Sequence, residues 1–309
     1  MKISIVGVGA MGSIYAGLFA SAGNEVIGVF RNSDQASHVN KCGLRVEGAS
    51  GDRIATIRAT TEAPQEEMDL IVLAVKATAV AEAATAARPM VGPKTVVLAL
   101  QNGVGSADLV AEALGDDRLA VGIAGGFGAS MRGPGHAHHN GMEVIRIGSY
   151  STLPWSTVER IADAWRAAGF RCEATADILA MQWEKLICNV AYSAPCALTG
   201  MSVGQVLDDP DAGPISRAAA VEAWTIARAL GVNIAVEDPI AHVRNFASRM
   251  PKSRPSLLQD VEAGRRSEID FINGAIPREA RKLGQVTPVN DLLVGLIRAR
   301  ERTYQSAAG

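Results

Sequence analysis

The chain has 309 residues, 48% hydrophobic and 20% charged, with a formal net charge of −2. That length allows about two domains, and the composition is that of a globular protein able to bury a sizeable core. The near-neutral charge, with no Lys/Arg cluster longer than Arg265-Arg266, argues against a nucleic-acid partner, and no apolar run reaches the roughly 18 residues a membrane-spanning helix needs.

Met1-Lys2-Ile3 enters a strand pattern at once, which leaves no room for a signal peptide. The cysteines Cys42, Cys172, Cys188 and Cys196 include no CxxC pair, so zinc-ribbon and thioredoxin readings fail. Cys188 and Cys196 lie in apolar surroundings and read as small core residues. A reducing, cytoplasmic setting is expected.

The first third alternates strands and helices. Lys2 to Val6 reads as a strand, followed by Gly7 to Gly12 and an apolar helix through about Ala22. Glu25 to Phe30, Leu70 to Val75 and Thr95 to Leu100 read as further strands. Runs that are apolar on both faces and alternate with helices indicate a parallel sheet covered on both sides. The segments 44–46 and 54–57 alternate in the manner of a hairpin, and 119–123 and 143–147 extend the sheet. From about Thr175 the strand signals stop. Helices are predicted over 177–191, 210–230, 239–248, 256–263, 269–283 and 288–304. This order predicts an α/β Rossmann-like domain at 1–174 followed by an all-α domain at 175–309.

Gly7-Val8-Gly9-Ala10-Met11-Gly12 is GxGxxG, placed after a strand and opening a helix. The first glycine permits the tight turn, the second lets the backbone approach a pyrophosphate, and the third lets helix and strand pack closely. The amides of the helix N-terminus then face the phosphates. A glycine-rich turn in an α/β protein that lost its cofactor is the plain alternative. The end of the second strand selects the cofactor. It reads Val29-Phe30-Arg31-Asn32-Ser33, with no carboxylate before Asp34. Arg31 offers a guanidinium fork to a 2′-phosphate, so NADP(H) is expected over NAD(H).

Five features give the chain a resemblance to the ketopantoate reductase (2-dehydropantoate 2-reductase) family. They are GxGxxG with Arg31; Val75-Lys76; Gln101-Asn102-Gly103; Trp183-Glu184-Lys185-Leu186 with Asn189; and Ser256-Leu257-Leu258-Gln259-Asp260 followed by Glu268-Ile269-Asp270. They occur in the family's order across nearly the whole chain. The resemblance implies a 6-phosphogluconate-dehydrogenase-like two-domain architecture, an NADP(H) cofactor and a small 2-oxoacid substrate, reduced to a 2-hydroxyacid. It points to neither nucleic acid nor membrane, and it admits a homodimer.

By resemblance, Lys185 is the general acid that protonates the carbonyl oxygen. Lys185 and Asn189 are i,i+4 neighbours on one helix face. Leu179, Trp183, Leu186 and Val190 form the opposite, core-facing stripe, so Lys185 is free to face a cleft. A surface lysine on an amphipathic helix is the bland reading. The resemblance makes Glu268 a contact of both substrate oxygen and cofactor, and Ser256 the holder of the substrate carboxylate. A plain N-cap for Ser256 and a capping box at Ser267–Asp270 stand as alternatives. Asp260 reads as structural. Lys76 and Asn102 follow the carboxyl ends of strands, where open α/β sheets bind ligands; the resemblance sets both at the nicotinamide half of the cofactor or the substrate. Asn102-Gly103 also reads as a simple turn. Gly128, in the glycine-rich stretch 122–129, is expected to cover the nicotinamide. Asn189 joins Asn102, Lys185 and Ser256 as a substrate contact.

The chain departs from the family where the substrate's side chain is recognised. Ser193, Val203 and Ser253 stand at positions of asparagine in pantoate-forming members. Sites built for hydrogen bonds discriminate strongly when partners are missing, which sets ketopantoate itself apart from the expected substrate. His136, His138 and His139 invite a metal reading, with His136 and His138 on one strand face. No carboxylate or cysteine completes the set nearby, and zinc wants three or four ligands, so no metal is expected. The basic run Arg244–Arg254 reads as a solvated face. Opine, glycerol-3-phosphate and 3-hydroxyacid dehydrogenases share the two-domain pattern but carry their lysines in other motif contexts. A non-catalytic NADP-binding regulator would need no proton donor.

Overall fold

The computed structural model describes residues 1–141 and 143–306. Two compact units divide the chain: Met1–Gln101 with Ser106–Ile178, and Asn102–Gly105 with the chain from Leu179 onward.

The first unit is built on strands β1 (Lys2–Val6), β2 (Glu25–Val29), β3 (Leu44–Gly48), β4 (Arg53–Ala55), β5 (Arg58–Thr60), β6 (Leu70–Leu73), β7 (Val96–Ala99), β8 (Leu119–Gly125), β9 (Gly128–Gly133), β10 (His136–Gly141), β11 (Val144–Ser149) and β12 (Cys172–Ala174). Its helices are α1 (Ala10–Ser21), α2 (Ser33–Cys42), α3 (Val80–Ala87), α4 (Ser106–Leu114) and α5 (Trp155–Ala167). The main sheet has the order β12-β11-β8-β7-β6-β1-β2-β5. Neighbours are parallel except β8 and β11. The central strands β6 and β7 are buried at every position, as a sheet covered on both faces requires. Tyr15, Phe19 and Trp165 lock α1 to α5 edge to face, with ring centroids 5.0 Å and 4.9 Å apart, a favoured aromatic geometry.

The 44–46 and 54–57 segments do pair antiparallel, as β3 and β4. They lie in a second, four-stranded sheet of order β4-β3-β10-β9. That sheet packs on α1: Val46 crowds Gly17, where an added Cβ would meet its side chain at 2.5 Å.

The second unit holds α6 (from Ile178 to Thr199), α7 (Val203–Asp208), α8 (Ala212–Ala229), α9 (Pro239–Arg249), α10 (Ser256–Glu262), α11 (Ala275–Lys282) and α12 (Pro288–Ser306). Three expectations are corrected here. Helix α6 runs eight residues beyond Ala191 and through Pro195, because Val190, Ala191, Ala194, Cys196 and Ala197 are core residues whose burial outweighs the missing amide. The predicted 269–283 helix begins only at Ala275, and residues 268–274 form turns. Leu179 is half exposed rather than part of the core stripe, which Trp183, Leu186 and Val190 do form. Helix α7 was not expected, although Ser202 and Gln205 make the capping box that begins it.

A buried polar network ties these helices together. The Glu222 carboxylate on α8 accepts the amides of Val289 and Asn290, both at 2.9 Å, and so caps α12. The Asn290 side chain donates to Ala219 O at 3.1 Å. Asn273 donates to Asn290 Oδ1 and to Val190 O on α6, both at 3.0 Å. Asn273 and Asn290 are fully buried, where a missing partner is costly.

Candidate active site

The turn after β1 begins at Gly7, whose φ of +95° suits glycine. Its amide donates to Val29 O at 3.0 Å, which holds the turn against β2. A Cβ on Gly12 would lie 2.2 Å from Gly7 O, so that glycine is a packing requirement. A Cβ on Gly9 would meet nothing within 4 Å. Gly9 is also the N-cap of α1, a helix with no side-chain cap and no acid in its first turn. Open space before uncapped amides at a helix N-terminus fits a pyrophosphate, formed here by Gly7, Val8, Gly9, Ala10, Met11 and Gly12.

Arg31 is exposed, two residues past β2. Asn32 accepts the amides of Asp34 and Gln35 at 2.9 Å and 3.0 Å and caps α2. The first carboxylate after β2 therefore belongs to the opening turn of a helix, where an acid complements the helix dipole. Lys76 is exposed just beyond β6. Gln101, to which the motif reading gave no role of its own, donates to Leu73 O at 2.7 Å and Val75 O at 3.0 Å, joining the ends of β7 and β6. Gly128 opens β9 in the second sheet.

In the helical unit, Asn102, Lys185 and Glu268 come together. The Lys185 ammonium donates to Asn102 Oδ1 at 3.2 Å. The other end of the same amide, Asn102 Nδ2, donates to Glu268 Oε2 at 3.5 Å. Glu268 is buried. Burial pushes the Lys185 pKa down to about 8 from its usual 10.5, and the Glu268 charge opposes that fall. An amine so poised is protonated at neutral pH and gives its proton up readily.

The geometry around the trio is fixed by main-chain contacts. Val104 N donates to Phe271 O at 3.0 Å. Gly103, at φ +84°, lies so close to Phe271 O that a Cβ would stand 1.8 Å from it. The turn carrying Glu268 is held on one side by Ser267, whose amide and hydroxyl donate to Glu301 at 2.9 Å and 2.5 Å. On the other side Arg298 pairs with Asp270 at 2.6 Å. These bonds replace the capping-box reading of Ser267–Asp270.

Asn189 stands one turn beyond Lys185 on α6, half-buried. Ser256 is exposed at the first position of α10, and Pro255 takes the N-cap position, which corrects the N-cap alternative. Asp260 is buried and bonded to Arg265 at 3.1 Å, as a structural residue would be. Of the three departures from the family, Val203 is a core residue, Ser193 is buried and Ser253 gives its carbonyl to Val203 N at 3.0 Å.

Glu47 corrects the expectation that no carboxylate stands near the histidines. Pairing of β3 with β10 brings it to 3.1 Å from His136 and 3.3 Å from His138. The His138 contact is the main cause holding its carboxyl below the usual range. Arg45 stands at 3.4 Å from the same carboxylate, where a cation would be repelled. Among the described residues, no group of three or more His, Cys, Asp or Glu side chains is placed to hold a metal ion. No described helix is long and apolar enough to cross a membrane.

The family described as "Ketopantoate reductase PanE/ApbA" matches residues 3–152, and its C-terminal counterpart matches residues 177–301. The 2-dehydropantoate 2-reductase of Pyrococcus horikoshii is 33% identical over 301 residues, 97% of this chain and 98% of that protein. The crystal structure of a PanE/ApbA family ketopantoate reductase from Ralstonia eutropha JMP134 superposes with a TM-score of 0.90 at 33% identity, covering 99% of this chain and 100% of that one. A complex of D-mandelate dehydrogenase with NADH gives 0.89 at 25% identity, covering 98% of this chain and 100% of the other. With both parts of its length matched and a relative above 30% identity along nearly all of it, the chain belongs to the ketopantoate reductase family.

Proposed function

We propose that this protein reduces a 2-oxoacid to the 2-hydroxyacid with NADPH, and that Lys185 is the general acid. The observation that carries the reading is the trio in which Asn102 joins a lysine of pKa about 8 to a buried glutamate. The nicotinamide, when bound, supplies the hydride. The protein's task is to place a proton on the carbonyl oxygen as negative charge develops there. Lys185 gives that proton and leaves a neutral amine, which takes a proton from solvent before the next turnover. Asn102, by accepting from the ammonium, aims it. Glu268 keeps the amine protonated at neutral pH despite burial and is assigned a contact with substrate and cofactor. Ser256 and Asn189 are assigned to the substrate.

For the cofactor, the amides of Gly7–Gly12 would hold the pyrophosphate and Arg31 the 2′-phosphate. Lys76, Asn102, Gly128 and Glu268 are assigned to the nicotinamide half. On the substrate side, Val203 in the core and Ser193 in place of an amide offer little to a hydroxylated side chain. The favoured substrate is a branched 2-oxoacid less polar than ketopantoate. The trio counts against a regulator that only binds NADP, since binding requires no poised proton donor.

Lys185→Ala tests the reading. It should cut kcat by about 10²–10⁴, the usual worth of a positioned acid, with NADPH affinity nearly unchanged and partial rescue by added small amines. Full turnover without Lys185, measured on the best substrate, would sink it.

A further inference from the structure

The guanidinium of Arg278, on α11, is not part of any motif. Its Nη2 donates to Val104 O at 2.7 Å, and its Nη1 donates to Asp270 O at 3.3 Å. Val104 lies two residues after Asn102, and Asp270 two residues after Glu268. One planar cation therefore grips both short segments that carry the polar partners of Lys185. Its own aim is fixed from behind: Nε donates to Glu279 at 3.1 Å. Glu279 is buried and its other oxygen pairs with Lys282 at 2.6 Å. Gly105 leaves room for the clamp, since a Cβ there would stand 2.3 Å from Nη2.

We propose that Arg278 is a positioning residue for the reduction, setting the places of Asn102 and Glu268 about Lys185 through the carbonyls of Val104 and Asp270. The proposal rests on the general-acid reading of Lys185. The physical basis is geometric. A guanidinium presents donors in a rigid fork, and a lysine or neutral side chain cannot span two carbonyls in the same way. With the fork gone, the 102–105 segment keeps the bond from Val104 N to Phe271 O as its main-chain tie to the 268–274 turn. The Asn102 amide then loses its register with the ammonium. A displacement of about 1 Å in such a group is enough to cost on the order of 100-fold in rate.

The test is a cycle of Arg278→Ala, Asn102→Ala and the double variant in the full-length enzyme, with Arg278→Lys alongside. Arg278→Ala should lower kcat by about 10- to 100-fold and change KM for NADPH far less, since the pyrophosphate and 2′-phosphate contacts assigned to Gly7–Gly12 and Arg31 are left in place. Because Asn102 accepts from the charged amine, its displacement favours the neutral form. The alkaline limb of the reduction should therefore move to lower pH, a change that loss of fold alone does not produce. In the Asn102→Ala background, Arg278→Ala should add less to the loss in kcat than it costs alone, because only the placing of Glu268 is then left to lose. Arg278→Lys, which keeps the charge and loses the fork, should show the same pH shift and carries the test if the alanine variant does not fold. An Arg278→Ala enzyme with unchanged kcat and unchanged pH limb overturns the proposal, as do fully additive effects in the cycle. Should Lys185→Ala abolish turnover while the Arg278 variants behave as wild type, the general acid stands and the clamp falls. If Lys185→Ala keeps full turnover, both fall.

Discussion

Lys185 and Asn102 are 83 residues apart in sequence, and Nζ of the first donates to Oδ1 of the second at 3.2 Å. This bond and the burial around it fix a pH dependence. Burial lowers the Lys185 pKa to about 8, so the acid form is complete below that pH and lost above it. The rate of 2-oxoacid reduction should be level below about pH 8 and fall above it, approaching tenfold per pH unit. Oxidation of the 2-hydroxyacid needs the neutral amine and should rise through the same pH. In the unfolded chain the lysine keeps its ordinary value of 10.5, so between 8 and 10.5 the unfolded state binds more protons. This group alone then makes stability rise with pH across that window. Measuring kcat/KM in both directions against pH checks the assignment; limbs that run the same way would exclude Lys185 as the shared acid and base.

The proposed preference for NADPH rests on Arg31. It is exposed two residues beyond β2, while the nearest following acid, Asp34, sits in the first turn of α2. Losing a charge-assisted hydrogen bond costs about 1.5–3 kcal/mol. Arg31→Ala should therefore raise KM for NADPH by about 10- to 100-fold and leave KM for NADH almost unchanged. Equal changes with the two cofactors would remove the case for NADP.

What the sequence made legible divides by range. The parallel strands declared themselves because β6 and β7 are apolar at every position, and GxGxxG sits between β1 and α1 as its local chemistry demands. Contacts that need distant pairing were hidden. Glu47 reaches His138 across 91 residues only because β3 and β10 lie side by side in the second sheet. The turn at 268–274 read as helix because Ile269, Ile272 and Ile276 recur at helical spacing; tertiary bonds from Glu301 and Arg298 hold it otherwise. The expected helix stopped at Ala191, whereas core burial carries α6 on through Pro195. The trio of Asn102, Lys185 and Glu268 was readable through family resemblance and not through spacing. Arg278 had no signal, since a clamp on two carbonyls depends on where main chain passes.

Substrate choice follows from the lost amides. Val203 is packed in the hydrophobic core, and Ser193 is buried on α6. Each hydrogen bond a hydroxylated substrate fails to find costs about 1–3 kcal/mol when the partner stays unsatisfied. Ketopantoate should therefore be reduced with a kcat/KM well below that of a branched 2-oxoacid lacking the hydroxyl. A panel of 2-oxoacids assayed by NADPH oxidation decides this. Reduction of ketopantoate at on the order of 10⁵ M⁻¹s⁻¹, an ordinary enzymatic value, would overturn the altered-substrate reading and leave the relatives' named activity as the best description.

The glycine turn after β1 separates room for a ligand from room for packing. At Gly9 the backbone has φ −87°, a value any residue adopts, and an added Cβ meets nothing within 4 Å. The protein itself has no use for that space. Gly9→Ala should fold with unchanged Tm, yet the new methyl would stand where the pyrophosphate must approach the backbone. At Gly12 the added Cβ would lie 2.2 Å from Gly7 O, inside the contact between α1 and the turn. Overpacking of that kind costs about 1–3 kcal/mol, so Gly12→Ala should lower Tm by several degrees whether or not cofactor is present. Thermal unfolding and calorimetric titration with NADPH, both without substrate, distinguish the two. The expected pattern is weakened binding, on the order of tenfold or more, at normal stability for Gly9→Ala, and reduced stability for Gly12→Ala. If Gly9→Ala binds NADPH as tightly as the unaltered protein, the open space before α1 is not the pyrophosphate site.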